Sequence, residues 1–188
     1  YRQRDKNNGY FNYLSKLRKI KKMNKFYIHN TSVVDKNVKI GEGTKIWHWC
    51  HLSSNVRIGK NCILGQNIFI GKNVKIGNNV KIQNNVSIYE GVIVQDDVFI
   101  GPSVVFTNVL LPRSFKNQKT KFVKTIIKKG STIGANSTVL CGNNIGKYSL
   151  IGAASLITKN VKSFSMYYGS PAKFKYKIDK NGKKYNEN

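Results

Sequence analysis

An apolar residue recurs at every sixth position through more than a third of the chain. The series begins at Ile28 and reaches Phe106 without a missed step, and a small or β-branched residue follows four positions after nearly every member. A helix has 3.6 residues per turn and would spread such positions around its surface, and an antiparallel strand would alternate every two residues. The period therefore predicts short strands that form a three-sided coil, with one hexad to a side and one large and one smaller side chain of each hexad pointing inward.

Asn and Gly concentrate between the inward-facing pairs. Asn61, Asn73, Asn85 and Gly91 fall at or near the predicted corners. Corners of this kind require a positive φ, which Gly adopts freely and Asn adopts at low cost. The many Asn residues are therefore expected to serve the backbone first and chemistry second.

Two hexads carry a resemblance to a known class of proteins. Residues 40–45 read Ile-Gly-Glu-Gly-Thr-Lys and residues 133–138 read Ile-Gly-Ala-Asn-Ser-Thr. Both resemble the repeats of the hexapeptide-repeat transferases, whose coils wind left-handed although parallel crossovers are otherwise almost always right-handed. The resemblance implies an all-β fold, a left-handed parallel β-helix. It also implies a homotrimer, and side-by-side association would cover sheet edges that one prism leaves open.

The periodicity divides the chain into three parts. Residues 1–27 form a basic N-terminal segment in which the spacing of Leu14, Leu17 and Ile20 allows a short helix. Residues 28–163 are predicted as the β-helix and residues 164–188 as a C-terminal extension. The register is lost after Phe106 and returns at Ile127, which predicts one loop leaving the prism at about 108–126. Long excursions from a rigid scaffold usually serve function.

The net charge of +25 is concentrated outside the predicted prism. Residues 1–25, 108–132 and 159–188 carry +8, +7 and +6, which leaves +4 for the rest of the chain. A basic stripe interleaved with aromatic residues would favour nucleic acid, whereas a nearly neutral body with basic tails does not. We therefore expect no nucleic-acid partner.

The cysteines and the hydropathy predict a cytoplasmic protein without membrane insertion. Cys50, Cys62 and Cys141 lack a metal-binding or redox spacing, and two of them occupy small inward positions, as expected of reduced packing thiols. No apolar run approaches the roughly 18 residues that span a bilayer.

Three longer blocks resemble a narrower family. They are residues 47–51 (Trp-His-Trp-Cys-His), residues 81–87 (Lys-Ile-Gln-Asn-Asn-Val-Ser) and residues 106–108 (Phe-Thr-Asn). Over residues 28–173 the chain resembles N-acetyltransferases that act on the 3-amino group of UDP-linked amino-sugar uronates. The resemblance implies direct attack of the sugar amine on acetyl-CoA, no metal, and a role in the biosynthesis of surface glycans such as lipopolysaccharide.

The same resemblance assigns candidate catalytic residues. It places Asn108 at the sugar amine, where an amide oxygen would orient the amine without deprotonating it. His48 and His51 are the other acid–base candidates, since a His pKa near 6.5 suits acceptance of a proton at neutral pH.

Candidate contacts are polar positions near the predicted loop and small residues in the later coils. Those assigned to the nucleotide sugar are Gln83, Asn84, Asn85, Ser87, Tyr89, Phe106 and Arg113, with Arg113 facing the diphosphate. Those assigned to acetyl-CoA are Gly134, Ala135, Ala153, Ala154 and Lys173.

Three alternatives share this fold. A 4-amino-sugar N-acetyltransferase would differ in the shape of its pocket. A non-catalytic β-helix that binds polyanions would show salt-sensitive affinity and no use of acetyl-CoA. A γ-type carbonic anhydrase would hold zinc with three His residues between subunits. The chain has three in total, and His48 and His51 lie three apart on one strand and its turn.

Overall fold

The computed structural model describes residues 26–117 and 122–185. The helix predicted near the N-terminus lies outside these residues. Within them every regular element is a β-strand, and none is a helix. In chain order the strands are β1 Tyr27–Ile28, β2 Val33–Val34, β3 Lys39–Ile40, β4 Lys45–Ile46, β5 His51–Leu52, β6 Arg57–Ile58, β7 Ile63–Leu64, β8 Phe69–Ile70, β9 Lys75–Ile76, β10 Lys81–Ile82, β11 Ser87–Ile88, β12 Val92–Val94, β13 Phe99–Ile100, β14 Val105–Phe106, β15 Thr125–Ile127, β16 Thr132–Ile133, β17 Thr138–Val139, β18 Leu150–Ile151, β19 Leu156–Ile157, β20 Ser165–Tyr168 and β21 Lys173–Lys177.

The strands form three parallel sheets, one on each side of a prism. Sheet 1 has the order β1-β4-β7-β10-β13-β16-β18-β20, followed by antiparallel β21. Sheet 2 contains β2, β5, β8, β11, β14, β17 and β19, and sheet 3 contains β3, β6, β9, β12 and β15. Up to β17 every third strand returns to the same sheet, and in the next turn a single bridge at Ile145 stands in place of a strand of sheet 3. Eight parallel strands of sheet 1 therefore correspond to about eight turns. The fold class is the one predicted, a left-handed parallel β-helix.

The predicted inward positions form the core. From Ile46 to Ile157 the large aliphatic member of each strand pair is buried, with exposed fractions of 5% or less. The first turn differs, because Ile28 and Ile40 are only half-buried and Val34 is 39% exposed. That turn has neighbouring strands on one side alone among the described residues, so its inward residues lack half of their packing partners.

Corner Asn residues adopt the backbone conformation that their composition predicted. Eight of them have φ between 55° and 64°, namely Asn37, Asn55, Asn61, Asn67, Asn73, Asn79, Asn85 and Asn136. Their side chains also connect successive turns. Asn37 donates to Asn55 (3.3 Å) and Asn55 to Asn73 (3.2 Å), which forms an amide ladder along the corner between sheets 2 and 3. Trp49, at the corner between sheets 1 and 2, occupies the same hexad position with φ 55°, which is unusual for a bulky residue.

The loop replaces a single corner of the prism. Ile93 pairs with Lys75 of the preceding turn on one side and with Ile126 on the other, so Ile126 takes the place that an uninterrupted repeat would give to Leu111. The base of the loop is closed by two backbone hydrogen bonds, Val123 N to Asn108 O (2.8 Å) and Thr125 N to Gly91 O (3.0 Å). The loop therefore leaves and re-enters at the corner between sheets 2 and 3.

Thr44 tests how far buried hydroxyls stabilise the coil. Its fully buried Oγ1 accepts a hydrogen bond from Cys62 N (3.0 Å) and donates one to Gly59 O (2.8 Å). Thr44→Val keeps the shape but leaves these buried backbone groups without that partner, so we expect a loss of about 1–3 kcal/mol in the free energy of unfolding. Denaturant unfolding measures it. The control Thr132→Val changes an outward, half-buried threonine on β16 and should shift stability by less than about 0.5 kcal/mol. Equal losses in both variants would contradict the prediction.

Candidate active site

Asn108 lies two residues after β14, at the base of the loop, and is half-buried. Its side chain approaches the backbone carbonyl of Glu90 at 3.3 Å. A carbonyl only accepts hydrogen bonds, so the amide Nδ2 must face it and Oδ1 must point the other way. The backbone carbonyl of Asn108 is held in turn by Val123 N. Asn108 thus presents an oriented acceptor beside the point where the loop begins.

Glu90 is a candidate site residue that the sequence interpretation missed. It lies one turn below Asn108, and its carboxylate accepts a hydrogen bond of 2.7 Å from Asn73 Nδ2. The signal was present in the sequence, because positions separated by three hexads occupy the same corner of adjacent turns, and Glu90 and Asn108 have that separation. The amide ladder of Asn37, Asn55 and Asn73 therefore ends at a carboxylate next to Asn108.

A cavity of about 460 Å³ opens at this corner. The returning end of the loop forms one wall, and the turn below Asn108 together with β9 and β12 forms the other. Its lining residues are Asn73, Lys75, Glu90, Gly91, Val92, Ile93, Phe122 and Lys124. The cavity combines one carboxylate, two ammonium groups and an aromatic ring.

Two of the predicted sugar contacts lie close to this corner. Tyr89 immediately precedes Glu90, and its exposed ring contacts Phe69 at 5.8 Å between centroids. Ser87 points outward on β11, paired with Val105 of β14, which leads directly to Asn108. Arg113 is exposed in the loop, and its Nη1 donates to the carbonyl of Pro112 at 2.8 Å.

Gln83, Asn84 and Asn85 lie at a different corner, between sheets 1 and 2. Two of them have structural partners. Asn84 Oδ1 accepts from Gln66 N (2.8 Å), and Asn85 Oδ1 accepts from Asn67 Nδ2 (3.1 Å). The chain therefore separates these three residues from Asn108 by one side of the prism.

Phe106 requires a correction. Its side chain is 1% exposed and belongs to the core, so it fills the prism below the loop and cannot contact a substrate. The hexad period places residue 106 inward. The buried Phe106 side chain holds the end of β14 in the core, and Asn108 follows two residues later.

The two candidate histidines lie near the N-terminal end of the prism. His51 on β5 pairs with Asp35 at 3.2 Å and is separated from β14 by β8 and β11, three strand spacings or about 14 Å. His48 stacks on His29 with ring centroids 3.5 Å apart, at the corner between sheets 1 and 2. Its buried Nδ1 has no hydrogen-bond partner among the described residues. One chain therefore does not bring either His to Asn108.

The residues predicted for coenzyme A line successive turns at the corner between sheets 1 and 2. Gly134 and Ala135 lie one turn from Ala153 and Ala154, and Ala154 N donates to Ala135 O at 2.8 Å. A Cβ at Gly134 would lie 2.5 Å from Ala153 N, so the turns approach closely here. Lys173 is exposed on β21. This strip of small residues lies on a different corner from Asn108.

The buried cysteines are unsuited to act as nucleophiles. Desolvation raises the pKa of the Cys50 and Cys62 thiols, which keeps them protonated at neutral pH. Both thiols contact backbone carbonyls of the next turn, Cys50 Sγ with Gly65 O at 3.0 Å and Cys62 Sγ with Gly77 O at 3.1 Å. Among the residues that the structure describes, no cluster of three or more His, Cys, Asp and Glu could hold a metal ion.

Two family profiles match the repeats. Bacterial transferase hexapeptide (six repeats) matches residues 37–72 and 73–108, and hexapeptide repeat of succinyl-transferase matches residues 55–90 and 124–159. Together they cover more than half of the chain. The chain belongs to the hexapeptide-repeat proteins. The match over residues 55–90 includes β6 and Glu90, and the match over residues 124–159 includes the strip of small residues.

This hexapeptide-repeat protein is similar to a curated sugar-modifying enzyme. It is 46% identical over 54 residues to dTDP-3-amino-3,6-dideoxy-alpha-D-galactopyranose 3-N-acetyltransferase of Aneurinibacillus thermoaerophilus. The similarity covers 29% of this chain and 28% of that relative, so the chain spans less than a third of the relative's length.

Solved structures show the same fold at low sequence identity. A variant of GDP-perosamine N-acetyl transferase from Caulobacter crescentus, in complex with CoA and GDP-perosamine, has a TM-score of 0.56 at 16% identity over 87% of this hexapeptide-repeat protein and 63% of that chain. A variant of AntD, an N-acyltransferase from Bacillus cereus, in complex with dTDP and coenzyme A, has a TM-score of 0.52 at 21% identity over 89% and 90%. Within the described residues there is also no helix with the length and apolarity that crossing a membrane requires.

Proposed function

We propose that this protein transfers an acetyl group from acetyl-CoA to the amino group, most simply the 3-amino group, of a nucleotide-linked sugar used in surface glycan biosynthesis. The observation that carries the proposal is the fixed amide of Asn108 beside a cavity that contains Glu90. The 3-N-acetyltransferase named above, 46% identical over 54 residues, supports the chemistry and the position of the amine.

The chemistry requires orientation more than acid–base groups. The neutral amine donates a hydrogen bond to Asn108 Oδ1, which directs its lone pair at the thioester carbon. The new C–N bond forms, the C–S bond breaks and coenzyme A leaves as the thiolate. The proton released by the nitrogen passes to the thiolate or to water. Holding the two reactants in this geometry removes much of the entropic barrier, so no covalent enzyme intermediate is required.

A homotrimer would complete the site. Asn108 lies at the corner between sheets 2 and 3, whereas Gly134, Ala135, Ala153 and Ala154 lie at the corner between sheets 1 and 2. One prism holds these corners apart, so a neighbouring copy is needed to bring a coenzyme on the second corner to an amine at the first. In a trimer with a threefold axis, the Asn108 corner of each copy meets the small-residue corner of its neighbour, which gives three equivalent sites.

The substrate test is a panel of UDP-linked and dTDP-linked amino sugars assayed with acetyl-CoA and a thiol reagent. We expect thiol release with sugars that carry the amine at C3, and little release when the amine is at C4. Turnover confined to 4-amino sugars would show that the acceptor is the 4-amino group and not the 3-amino group. Tight polyanion binding without any turnover would contradict an enzymatic role.

The histidines provide a second test. His51 lies about three strand spacings from β14, the strand before Asn108. His48 lies at the corner between sheets 1 and 2, three turns from Pro102, which occupies that corner in the turn of Asn108. Copies related by an axis parallel to the prism would keep these levels apart. We therefore expect His48→Gln and His51→Gln to change kcat by less than about threefold when steady-state rates are measured at saturating substrate. A loss of tenfold or more in either variant would assign that His to proton removal.

We also place the protein in the cytoplasm. The described cysteines, Cys50, Cys62 and Cys141, are all free and buried, as expected in a reducing compartment. Acetyl-CoA is a cytoplasmic metabolite, so this location also supplies the proposed acyl donor.

A further inference from the structure

A column of cations runs along the outer surface of sheet 3. Lys39, Arg57 and Lys75 occupy the same outward position on β3, β6 and β9, and each pairs in register with the next. All three side chains are exposed. Adjacent strands lie about 4.8 Å apart, so the column spans roughly 10 Å.

None of these three cations forms an ion pair within residues 26–117 and 122–185. The charged contacts there involve other groups, Lys129 with Asp97 and, when the imidazole is protonated, His51 with Asp35. None of the three cationic side chains makes a hydrogen bond to a described residue. Like charges directly opposite each other destabilise a sheet, so the arrangement favours an anion that neutralises the column.

The column lines a groove that continues to Asn108. A cavity of about 580 Å³ is formed by Asn37, Val38, Lys39, Asn55, Arg57, Asn73 and Lys75. It shares Asn73 and Lys75 with the cavity beside Asn108. The cations form one side of the groove, and the amide ladder forms the other.

Charged residues are unevenly placed along this groove. The end near Asn108 contains the carboxylate of Glu90 together with Lys124, and Lys75, Arg57 and Lys39 follow in succession toward β3. A nucleotide-linked amino sugar has the matching order of groups, with an amine, then a diphosphate, then a nucleoside. Lys75 lies one strand spacing from β12, the strand that follows Glu90, which is a short enough step for the sugar ring to bridge.

We propose that Arg57 and Lys75 bind the diphosphate of the nucleotide sugar, with the nucleoside extending toward Lys39. This proposal rests on the proposed function for the identity of the ligand. The Arg57 guanidinium offers a fork of donors to phosphate oxygens, and Lys75 supplies a mobile point charge between the phosphates and the sugar. Glu90 is the one carboxylate among the residues that line the two cavities, so it favours the amine rather than a phosphate at the end of the ligand next to Asn108.

A nucleic-acid strand suits the groove less well. Three cations over roughly 10 Å match one diphosphate, whereas a longer strand would carry further phosphates toward Glu90. The groove is therefore assigned to a single nucleoside diphosphate, and a strand becomes an outcome of the experiment.

The experiment is titration calorimetry of the full protein with uridine diphosphate at low ionic strength. We expect Arg57→Gln and Lys75→Gln each to raise the Kd by roughly tenfold. The matched control is Lys45→Gln, which removes the same charge from an exposed outward position on β4 in sheet 1 and should change the Kd by less than twofold. In the acetyl-transfer assay, the two groove variants should raise KM with little change in kcat, because they remove binding that is equal in the ground and transition states.

Several results would overturn the proposal. They are undetectable binding of uridine diphosphate to the wild-type protein, an unchanged Kd in Arg57→Gln, an equal loss in Lys45→Gln, or tighter binding of a ten-nucleotide single strand that depends on the same side chains. Failure of the proposed function would look different. If no amino sugar is acetylated but binding of uridine diphosphate still requires Arg57 and Lys75, the proposed diphosphate site is correct and the proposed acetyl transfer is wrong. If sugars are acetylated with unchanged KM in both variants, the groove alone is wrong.

Discussion

Replacing Asn108 with alanine is expected to lower kcat/KM for acetyl transfer by at least about tenfold, with no loss of folding. The alanine removes the oxygen that orients the amine and keeps the buried Phe106 anchor and the backbone bond to Val123. Because orientation supplies most of the acceleration in this reaction, kcat should fall at least as much as substrate affinity. Steady-state rates over a range of both substrates measure the effect.

The control for Asn108 is an asparagine on another corner of the prism. Asn79 lies between sheets 3 and 1, and its Nδ2 donates to Asp97 Oδ1 at 2.9 Å. Asn79→Ala should therefore leave kcat/KM within about twofold. Unchanged kinetics in Asn108→Ala would exclude the orienting role and return the histidines to consideration.

Replacing Gly59 with alanine is expected to destabilise the fold by about 3 kcal/mol, at the upper end of the usual cost of overpacking. A Cβ at this position would lie 2.5 Å from the carbonyl oxygen of Gly77 and 2.6 Å from its carbon. These are backbone atoms of the next turn, so the clash cannot be relieved by rotating a side chain. Gly41 and Gly59 approach each other in the same way, so a local shift would be passed to the turn on either side.

Thermal and denaturant unfolding measure the cost of Gly59→Ala. The neighbouring Lys60→Ala changes an exposed side chain at the same corner and should stay within about 0.5 kcal/mol of the parent. Similar stability in Gly59→Ala and Lys60→Ala would contradict the close stacking of turns that the fold requires.

The sequence predicts the prism well because its period and its burial have one cause. A side chain at every sixth position must point inward in a three-sided coil, so Ile46 and Ile100 can be assigned to the core from spacing alone. The partial burial of Ile28, Val34 and Ile40 was not predicted. It depends on whether another turn packs against the first, which no local pattern records.

Predictions for the site were less complete, because a linear motif does not show which corner a residue occupies. Gln83 and Asn108 lie in blocks that resemble one family, yet the prism places them on different corners. Counting in steps of three hexads would have grouped Asn108 with Glu90. The same counting groups Lys39, Arg57 and Lys75, which otherwise read as scattered surface charge. For Phe106 the motif predicted contact with the substrate, whereas its place in the six-residue period required burial in the core.

The most direct test of the central claim is a rapid-quench experiment that follows free thiol, acetylated protein and acetylated sugar together. Protein mixed with acetyl-CoA alone should release no burst of thiol and gain no acetyl group. On addition of a UDP-linked 3-amino sugar, thiol and N-acetylated product should appear in equal amounts from the first turnover. A thiol burst with acetylated protein, or thiol release without N-acetylated sugar, would contradict direct transfer to an amine held by Asn108.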